Sequence, residues 1–310
     1  MIMKELQELN FKLQQIQKVF DIDKIINLKP TTASIANYYK LNKIAYTFFS
    51  NKTDLLHMGI SRSGKYSNKD LLEQAKLVDK YVKQLKAKKV LELATGRGAN
   101  SEYLAKEHPD IIFEAVDLPN GQLDYAFNKA KKLKNFHPKI GDYHNLTDYP
   151  RDSFDVIFVI EALCHSTNKK QVFSEVRKLL KNTGVFIIFD GYCGKKESLL
   201  AKNEQLAKKL TEKSMAVPDF DNYQEFKNKL INSGFKILNE EDMSEFIIPT
   251  LKRFENHARL YFKIPSLILK IINKFFPAVI INNVIPGYLL LTLVEFKTAK
   301  YVLTVASKKD

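Results

Sequence analysis

A glycine turn that follows an apolar run is the first part of the sequence that could do chemistry. Residues 90–98 read Val-Leu-Glu-Leu-Ala-Thr-Gly-Arg-Gly, and a helical pattern begins near Asn100. Glycines at such a turn let the backbone approach a ligand, and the start of a helix presents free N–H groups. Asp117 lies 19 residues after Gly98, at the end of the next apolar run. Because a carboxylate there can accept hydrogen bonds from ribose hydroxyls, the spacing favours a site for a ribose-bearing ligand.

The segment 160–166, Ile-Glu-Ala-Leu-Cys-His-Ser, is the second candidate. It ends an apolar run that begins at Phe154, and ligands bind beyond the carboxyl ends of strands in open α/β sheets. Glu161 and His165 are four residues apart, and either could remove a proton from a substrate. We predict that Glu161 acts as a base or stabilises a cation, with His165 as its partner. The alternatives are a buried, ligand-orienting carboxylate and a histidine that caps a loop. Cys164 is predicted to pack, because nothing marks it as a nucleophile.

Short apolar runs alternate with helical stretches from residue 88 onward. This alternation is typical of an α/β fold in which helices cover a parallel sheet. Several runs are apolar at successive positions, as expected for strands that are buried on both faces. We expect strands over residues 88–95, 111–118, 138–144, 154–161, 184–192, 235–243 and 299–308, and helices near 99–108, 120–134, 168–181 and 221–233.

The start of the chain carries one apolar stripe. Leu6, Leu9, Leu13, Ile16 and Phe20 recur at spacings of three to four residues, which predicts an amphipathic helix. We expect this helix to pack on its own domain, with membrane-surface contact and dimerisation as the alternatives.

An uncharged stretch of 20 residues, 275–294, has the length of a membrane span. Prolines, asparagines and a glycine interrupt it, and the final strand must return to the same sheet, so a crossing is not expected. We expect an apolar pocket wall or an interfacial segment that dips into lipid, with Lys263, Lys270 and Lys274 facing phosphates. A core-packing subdomain is the alternative.

The expected division of the chain is 1–87 for N-terminal helices and a lid, 88–244 for the α/β core, 245–298 for an apolar helical insert and 299–310 for the last strand.

The motifs resemble those of the class I S-adenosylmethionine-dependent methyltransferases. The segment 92–98 is similar to the family's first motif, E/D-x-G-x-G-x-G, with Ala94 as a small and tolerated replacement for the first glycine. Asp117 matches the ribose-binding acid, Asp142 matches the acid that holds the adenine amino group, and Phe154-Asp155-Val156-Ile157 matches a later strand. The resemblance implies a Rossmann-like, mostly parallel sheet with an antiparallel last strand, and S-adenosyl-L-methionine as cofactor. The cofactor contacts it implies are Glu92, Ala94, Gly96, Gly98, Asp117, Leu118, Asp142, Tyr143 and Ile160.

The segment around Glu161 also resembles the I-E-A-x-C-H segment of sterol C-methyltransferases, a subgroup close to the tocopherol methyltransferases. Upstream, His57-Met58-Gly59-Ile60 and three tyrosines resemble the subgroup's N-terminal lid. The resemblance implies that this lid closes over the methyl donor, and aromatic faces could stabilise a sulfonium or a carbocation. The lid and acceptor residues it implies are Tyr38, Tyr39, Tyr46 and His57.

The positive charge is concentrated at the two ends of the chain. The 49 Lys and Arg residues exceed the 35 Asp and Glu residues by 14, with +8 in residues 1–88 and +6 in residues 245–310. This distribution predicts end segments that meet an anionic acceptor or membrane around a neutral cofactor core. Two cysteines are too few for a disulfide scaffold, and the N-terminus lacks the apolar run of a signal peptide. We therefore expect a cytoplasmic protein. Because its ends are basic, we expect it to be peripheral to a membrane.

The combined expectation is a methyltransferase with a hydrophobic acceptor, most directly one that C-methylates an isoprenoid or sterol-like lipid. An O- or N-methyltransferase of a small natural product or amine is the enzymatic alternative. A non-catalytic cofactor-binding or scaffolding protein is the alternative from another class. No metal is expected, because no cluster of ligands has metal-site spacing. Nucleic acid is not an expected partner, because the amino-methylation motif N-P-P-Y and the Pro-Cys pair of cytosine methylation are absent.

Overall fold

A seven-stranded β-sheet organises the protein. The computed structural model describes residues 2–49 and 53–309, including the side chains of residues 7–42 and 53–309. The strands are β1 (Lys89–Leu93), β2 (Ile112–Asp117), β3 (Phe136–Ile140), β4 (Phe154–Ile160), β5 (Leu180–Cys193), β6 (Phe235–Asp242) and β7 (Ala299–Lys308).

The order of the strands reverses between β1 and β4. The sheet order is β3-β2-β1-β4-β5-β7-β6. Strands β1 to β5 are parallel, and β7 runs antiparallel between β5 and β6. The predicted mostly parallel sheet with an antiparallel last strand is confirmed. In such sheets the ligand site lies beyond the carboxyl ends of the strands at the point of reversal.

Helices cover both faces of the sheet, and a further group of helices extends the fold beyond it. Among the described residues, short 3-10 turns also occur at 68–72, 163–165 and 197–199. The helices are α1 (Ile2–Val19), α2 (Ile22–Ile26), α3 (Thr32–Phe49), α4 (Glu73–Gln84), α5 (Ala99–Glu107), α6 (Leu123–Ala130), α7 (Lys169–Leu179), α8 (Lys202–Ser214), α9 (Tyr223–Asn232), α10 (Ser244–Phe262), α11 (Ser266–Phe275), α12 (Ala278–Ile281) and α13 (Val284–Glu295).

Strand β4 illustrates why the central runs are apolar at successive positions. Val156 and Phe158 pack into the core on one face of the sheet, whereas Ile157 and Val159 pack into the core on the other. Successive side chains of a strand point to opposite faces, so a stretch that is covered on both sides is apolar on both. The prediction of strands buried on both faces is confirmed here.

Strand β3 begins and ends earlier than the predicted range of 138–144. Phe136 is buried in the core, and the chain leaves the sheet at Gly141, whose N–H donates to the carbonyl of Asp117 at 2.8 Å. A Cβ atom at Gly141 would lie only 2.7 Å from Cγ2 of Val116. Because the strand ends before this close contact, Asp142 and Tyr143 lie in the loop that follows it.

The N-terminal stripe packs on its own chain, as predicted. Leu9, Leu13, Ile16 and Phe20 are buried in one cluster with residues of α13; the side chain of Leu6 is outside the described residues. The predicted alternatives for this stripe, membrane contact and dimerisation, are therefore not supported by its packing.

The two basic ends of the chain contact each other. Lys12 Nζ of α1 lies 2.6 Å from Glu255 of α10 and also donates to Thr292 of α13 at 2.6 Å. Arg259 of α10 pairs with Glu8 of α1 at 2.7 Å. Part of the excess charge at the ends is thus neutralised inside the protein.

The uncharged segment 275–294 forms mainly an interior helix. By length and composition, Ala278–Glu295 could cross a membrane, but 61% of this stretch is buried within the protein. Tyr288, Leu289 and Leu293 of α13 pack in the cluster with α1. The core-packing alternative describes α13, because its apolar side chains already have protein partners.

Candidate functional site

A cleft of about 870 Å3, counting its opening to solvent, lies at the carboxyl ends of β1, β2 and β4. This is the point at which the strand order reverses. Lid helix α3, the segment 54–57 and the turn after β4 complete its walls. The predicted site residues that line it are Tyr39, His57, Glu92, Ala94, Gly96, Asp117, Leu118, Tyr143, Ile160, Glu161 and His165.

Two glycines of the turn after β1 have different structural roles. Gly96 has φ +57, and a Cβ atom there would meet only Leu56, at 3.9 Å, so its backbone is open towards the cleft. Gly98 has φ +72, and a Cβ atom there would lie 2.8 Å from Cβ of Ala126 in α6. Gly98 does not line the cleft. Close packing of α5 against α6 accounts for glycine at this position, and its predicted cofactor contact stays a prediction.

Glu92 connects this turn to the first turn of α5. Its carboxylate accepts hydrogen bonds from Thr95 Oγ1 at 2.5 Å and from Ser101 Oγ at 2.6 Å. Burial raises the pKa of Glu92 to about 7, although these hydrogen bonds lower it. The residue lines the cleft and also holds the glycine turn in place.

Ala94 stands in a backbone conformation that favours glycine. Its φ is +54, in the left-handed region. An L-residue pays about 1–2 kcal/mol in this region because its Cβ atom crowds the following carbonyl. The departure from the glycine motif is therefore tolerated at the cost of local strain.

We expect Ala94→Gly to stabilise the protein by up to about 1.5 kcal/mol, because the strain relieved exceeds the chain entropy that glycine adds to the unfolded state. Urea unfolding measures the change. Ala105→Gly in the interior of α5 is the control and should lose about 1 kcal/mol. A destabilisation of the Ala94 variant equal to that of the control would contradict the assignment of strain.

Asp117 is buried at the end of β2 and is already hydrogen-bonded. One oxygen accepts from Gly96 N at 2.6 Å, and the other accepts from Leu118 N at 2.7 Å and Asn120 Nδ2 at 3.0 Å. Burial raises its pKa to about 6 against these bonds. A carboxylate has about four acceptor positions, so one is left for a ligand hydroxyl. A second hydroxyl, as the sequence predicts, requires one of the present donors to turn away.

Asp142 does not line the cleft, although its neighbours Gly141 and Tyr143 do. Its Oδ1 accepts from the backbone N–H of His144 and lies 2.7 Å from His144 Nδ1. The hydroxyl of Tyr143 donates to the carbonyl of Ala162 at 3.1 Å. The assignment of Asp142 to the adenine amino group stays a prediction.

Glu161 turns the chain sharply at the end of β4. Its φ is +52, a conformation that non-glycine residues keep mainly where a site requires it. Its Oε1 accepts from Met58 N at 2.8 Å. Burial raises the pKa of Glu161 to about 7, although the Met58 N–H and the nearby Tyr301 hydroxyl lower it. At neutral pH this carboxyl group is close to its titration midpoint, which is the condition that suits a general base.

His165 faces the lid helix, and the structure corrects its predicted pairing with Glu161. Its Nδ1–H donates to the carbonyl of Ala216 at 3.2 Å, and its Nε2 accepts from the hydroxyl of Tyr39 at 2.8 Å. Burial lowers the pKa of His165 to about 4, so the ring is neutral at pH 7. Glu161 and His165 line the same cleft with separate partners, because the turn at Glu161 and the 3-10 turn after it direct the two side chains apart.

The predicted lid tyrosines take different positions. Tyr39 lines the cleft, and its ring meets the ring of His165 edge to face with centroids 5.5 Å apart. Tyr38 points away from the cleft and donates to Asn283 Oδ1 at 2.5 Å. Asn283 also donates to Asn42 of the lid at 2.7 Å, which joins α3 to the loop before α13. The side chain of Tyr46 lies outside the described residues.

His57 lines the cleft from the segment after the lid. Its Nε2 lies 3.2 Å from Asn100 Oδ1 and its Nδ1 lies 3.1 Å from the carbonyl of Met58. Burial lowers the pKa of His57, against these two hydrogen bonds. Its predicted assignment to the lid and acceptor residues is compatible with this position.

A polar chain that joins the glycine turn to the lid was missed at the sequence level. Arg97 is buried, donates to Gln122 Oε1 at 2.8 Å and pairs with Asp54 at 3.1 Å. Gln122 in turn donates to the carbonyl of Tyr39 at 2.8 Å. These residues are far apart in sequence. The only signal in the sequence for this hydrogen-bonded network is the position of Arg97 inside the glycine motif.

The residues present fit S-adenosylmethionine, the cofactor implied by the sequence motifs. The backbone of Gly96 is open to the cleft, and a buried carboxylate with a remaining acceptor position follows at Asp117. Apolar side chains of Leu118 and Ile160 line the remaining strand ends. No group of three side chains able to hold a metal ion occurs among the residues that the structure describes.

The segment that forms the core matches a known family. A family model described as a methyltransferase domain matches residues 84–245. The demethylmenaquinone methyltransferase of Thermotoga maritima is 32% identical over 115 residues, which cover 37% of this chain and 48% of that protein. The sterol 24-C-methyltransferase of Saccharomyces cerevisiae is 28% identical over 130 residues, which cover 39% of this chain and 33% of that protein. Phosphoethanolamine N-methyltransferases also occur among its relatives. The chain thus spans less than half the length of these curated relatives.

The fold is shared with solved structures over nearly the whole chain. The cyclopropane synthase MmaA2 of Mycobacterium tuberculosis superposes with a TM-score of 0.70 at 13% identity, covering 91% of this chain and 100% of that one. At this identity the likeness shows the fold alone. Because the family match ends at residue 245 and begins at residue 84, this likeness extends beyond it.

Proposed function

Because the chain belongs to the methyltransferase domain family, we propose that it transfers the methyl group of S-adenosylmethionine to a hydrophobic small-molecule acceptor. Within that activity we propose C-methylation of an isoprenoid or sterol-like lipid. The observation that carries the proposal is the carboxyl group of Glu161, which lines the cleft with a pKa raised to about 7 by burial.

Glu161 is the base in this proposal. When bound, S-adenosylmethionine supplies an electrophilic methyl group, and an alkene acceptor that takes it is left with a positive charge. The displaced leaving group would be S-adenosylhomocysteine. The Glu161 carboxylate then removes a proton from a carbon adjacent to the cationic carbon, and the electrons of that C–H bond form the double bond of the product. The Met58 N–H holds the carboxylate in place during this step.

His165 and Tyr39 also line the cleft and are joined by a hydrogen bond. The carbonyl of Ala216 fixes the proton of His165 on Nδ1, so Nε2 holds the hydroxyl of Tyr39. A neutral ring with a pKa of about 4 is a weak base at pH 7. This favours a positioning role for His165 over the alternative in which it deprotonates a small polar acceptor.

The composition of the cleft supports an apolar acceptor. In addition to Glu161, the residues that line the cleft include Ile35 and Ala36 of the lid helix and Leu55 and Leu56. Apolar walls around a few polar groups are typical of sites for hydrophobic ligands. The names of two relatives refer to lipid acceptors, a sterol and demethylmenaquinone.

Methyl incorporation from labelled S-adenosylmethionine tests the proposal. Isoprenoid diphosphates, sterols and quinol-type phenols form one acceptor panel, and sarcosine and phosphoethanolamine form the other. We expect label in a carbon-bound methyl group of the first panel. Label only in the amine panel would overturn the lipid acceptor, and an absence of cofactor binding by calorimetry would overturn the enzymatic function.

A further inference from the structure

Helix α11 exposes an apolar face on the surface of the protein. Leu269 is its only buried residue. Phe275 is 78% exposed and Leu267 is 71% exposed, and Ile268 and Ile271 are exposed beside them. Single exposed apolar side chains are ordinary, but a contiguous group of this kind marks an interaction surface. We call Leu267, Ile268, Ile271, Phe275 and Phe276 the α11 patch.

Helix geometry places lysines along one edge of the patch. At 3.6 residues per turn, the patch residues within α11 occupy an arc of about 100°. Lys270 and Lys274 lie between this arc and the packed side of the helix, and both are exposed. Such an apolar arc bordered by lysines is the arrangement of helices that lie in a membrane interface.

The segment of the chain that carries the patch is basic. No Asp or Glu occurs between Glu255 and Glu295, whereas Arg259, Lys263, Lys270 and Lys274 all fall in this interval. The three lysines form no ion pair with any residue in the described part of the chain. Their charge is therefore available to an anionic partner outside the protein.

We propose that the α11 patch docks the protein on anionic lipid bilayers. The patch inserts its phenylalanine and aliphatic side chains among the acyl chains, while the bordering lysines meet lipid phosphates. A symmetric contact between two copies would bring the same lysines together without a counter-charge, which disfavours dimerisation through this surface. In this proposal the lipid-facing surface is α11, which flanks the segment 275–294 predicted to dip into lipid, whereas α13 within that segment is buried.

The patch is directly joined to the lid over the cleft. Phe276 and Pro277 lead into α12, and the loop after α12 holds Asn283, which bonds to Tyr38 and Asn42 of α3. Docking at α11 therefore brings the lid close to the bilayer. This inference goes beyond the proposed methyl transfer, and membrane binding is measured without turnover, so either can fail alone.

Co-sedimentation with vesicles of phosphatidylcholine, with and without phosphatidylglycerol, tests the docking surface. We expect the full chain to bind only the anionic vesicles. Lys270→Gln combined with Lys274→Gln should weaken binding by about 10- to 30-fold, because each lysine near the surface contributes about 1 kcal/mol. Phe275→Ser combined with Phe276→Ser should weaken it by at least about tenfold through lost insertion.

A matched pair of exposed apolar residues on another part of the surface is the control. Ile231 of α9 and Leu238 of β6 are exposed, and Ile231→Ser with Leu238→Ser should leave vesicle binding unchanged. Thermal unfolding checks that every variant folds, and the affinity for S-adenosylmethionine should stay that of the parent chain. Failure of the parent chain to bind anionic vesicles would overturn the proposal. So would equal losses in the control pair, or a dimer in sedimentation velocity that the phenylalanine variant converts to a monomer.

Discussion

Replacing Glu161 by glutamine should lower kcat by about 100- to 10,000-fold, the range that general-base catalysis contributes. Glutamine keeps the size of the side chain and can still accept the hydrogen bond from Met58, so the cleft should stay intact. The dissociation constant of S-adenosylmethionine, measured by calorimetry, should therefore be unchanged. A variant with parental kcat would remove the base assignment.

The pH profile of the parent enzyme gives an independent test of the same residue. The base must be ionised, and burial places the pKa of Glu161 at about 7. Turnover should therefore rise with pH through a midpoint near 7 and level off above it. Glu161→Gln should abolish this rise in whatever turnover remains.

Tyr301→Phe distinguishes a base from a structural carboxylate. The nearby Tyr301 hydroxyl lowers the pKa of Glu161, so its removal should move the midpoint of the profile to higher pH. Tyr301 is a positioning residue, and a purely structural role would change stability without moving the midpoint. A profile that keeps its midpoint in this variant would contradict the coupling.

Replacing Asp117 by asparagine should weaken S-adenosylmethionine binding by about 10- to 150-fold, since a hydrogen bond to a charged group is worth about 1.5–3 kcal/mol. The pKa of Asp117 is raised to about 6, and ribose hydroxyls donate best to the ionised carboxylate. Affinity in the parent chain should therefore increase as pH rises through about 6, and this dependence should vanish in the variant. Calorimetric titrations across this range measure both effects.

Asn120→Ala is the matched control, because it tests whether the donors already bound to the Asp117 carboxylate limit its contact with the ligand. Asn120 occupies one acceptor position of Asp117 in the present structure. Its removal frees that position for a second ligand hydroxyl, so the affinity should hold or improve. An affinity loss as large as that of Asp117→Asn would show that Asn120 itself contacts the ligand, and that the carboxylate is not the main determinant.

Much of the fold was predictable because its signals are local. The apolar runs of β1, β2 and β4 are short and together rich in β-branched and aromatic residues, and their ends carry the glycine turn, Asp117 and Glu161. In a parallel sheet all such ends lie at one edge. The cofactor side of the cleft therefore follows from element order and from residues at the ends of elements.

The hydrogen-bond partners of Glu161 and His165 could not be predicted from the sequence. Glu161 meets Met58 and Tyr301, which are more than 100 residues away on either side, and His165 meets Tyr39 and Ala216. A spacing of four residues indicates proximity only within a regular helix. Here the left-handed turn at Glu161 separates the two side chains, and no sequence pattern reports that angle.

The sequence by itself determined the sheet, the cofactor motif and the identity of the candidate base, since these depend on periodicity and on neighbours along the chain. Only the tertiary structure decided the strain at Ala94, the pairing of His165 with Tyr39 and the difference between buried α13 and exposed α11. Both helices are apolar in composition, and an apolar residue is equally suited to a protein interior or to a lipid surface. Which of the two it meets depends on what packs against it, and that is a property of contacts between distant parts of the chain.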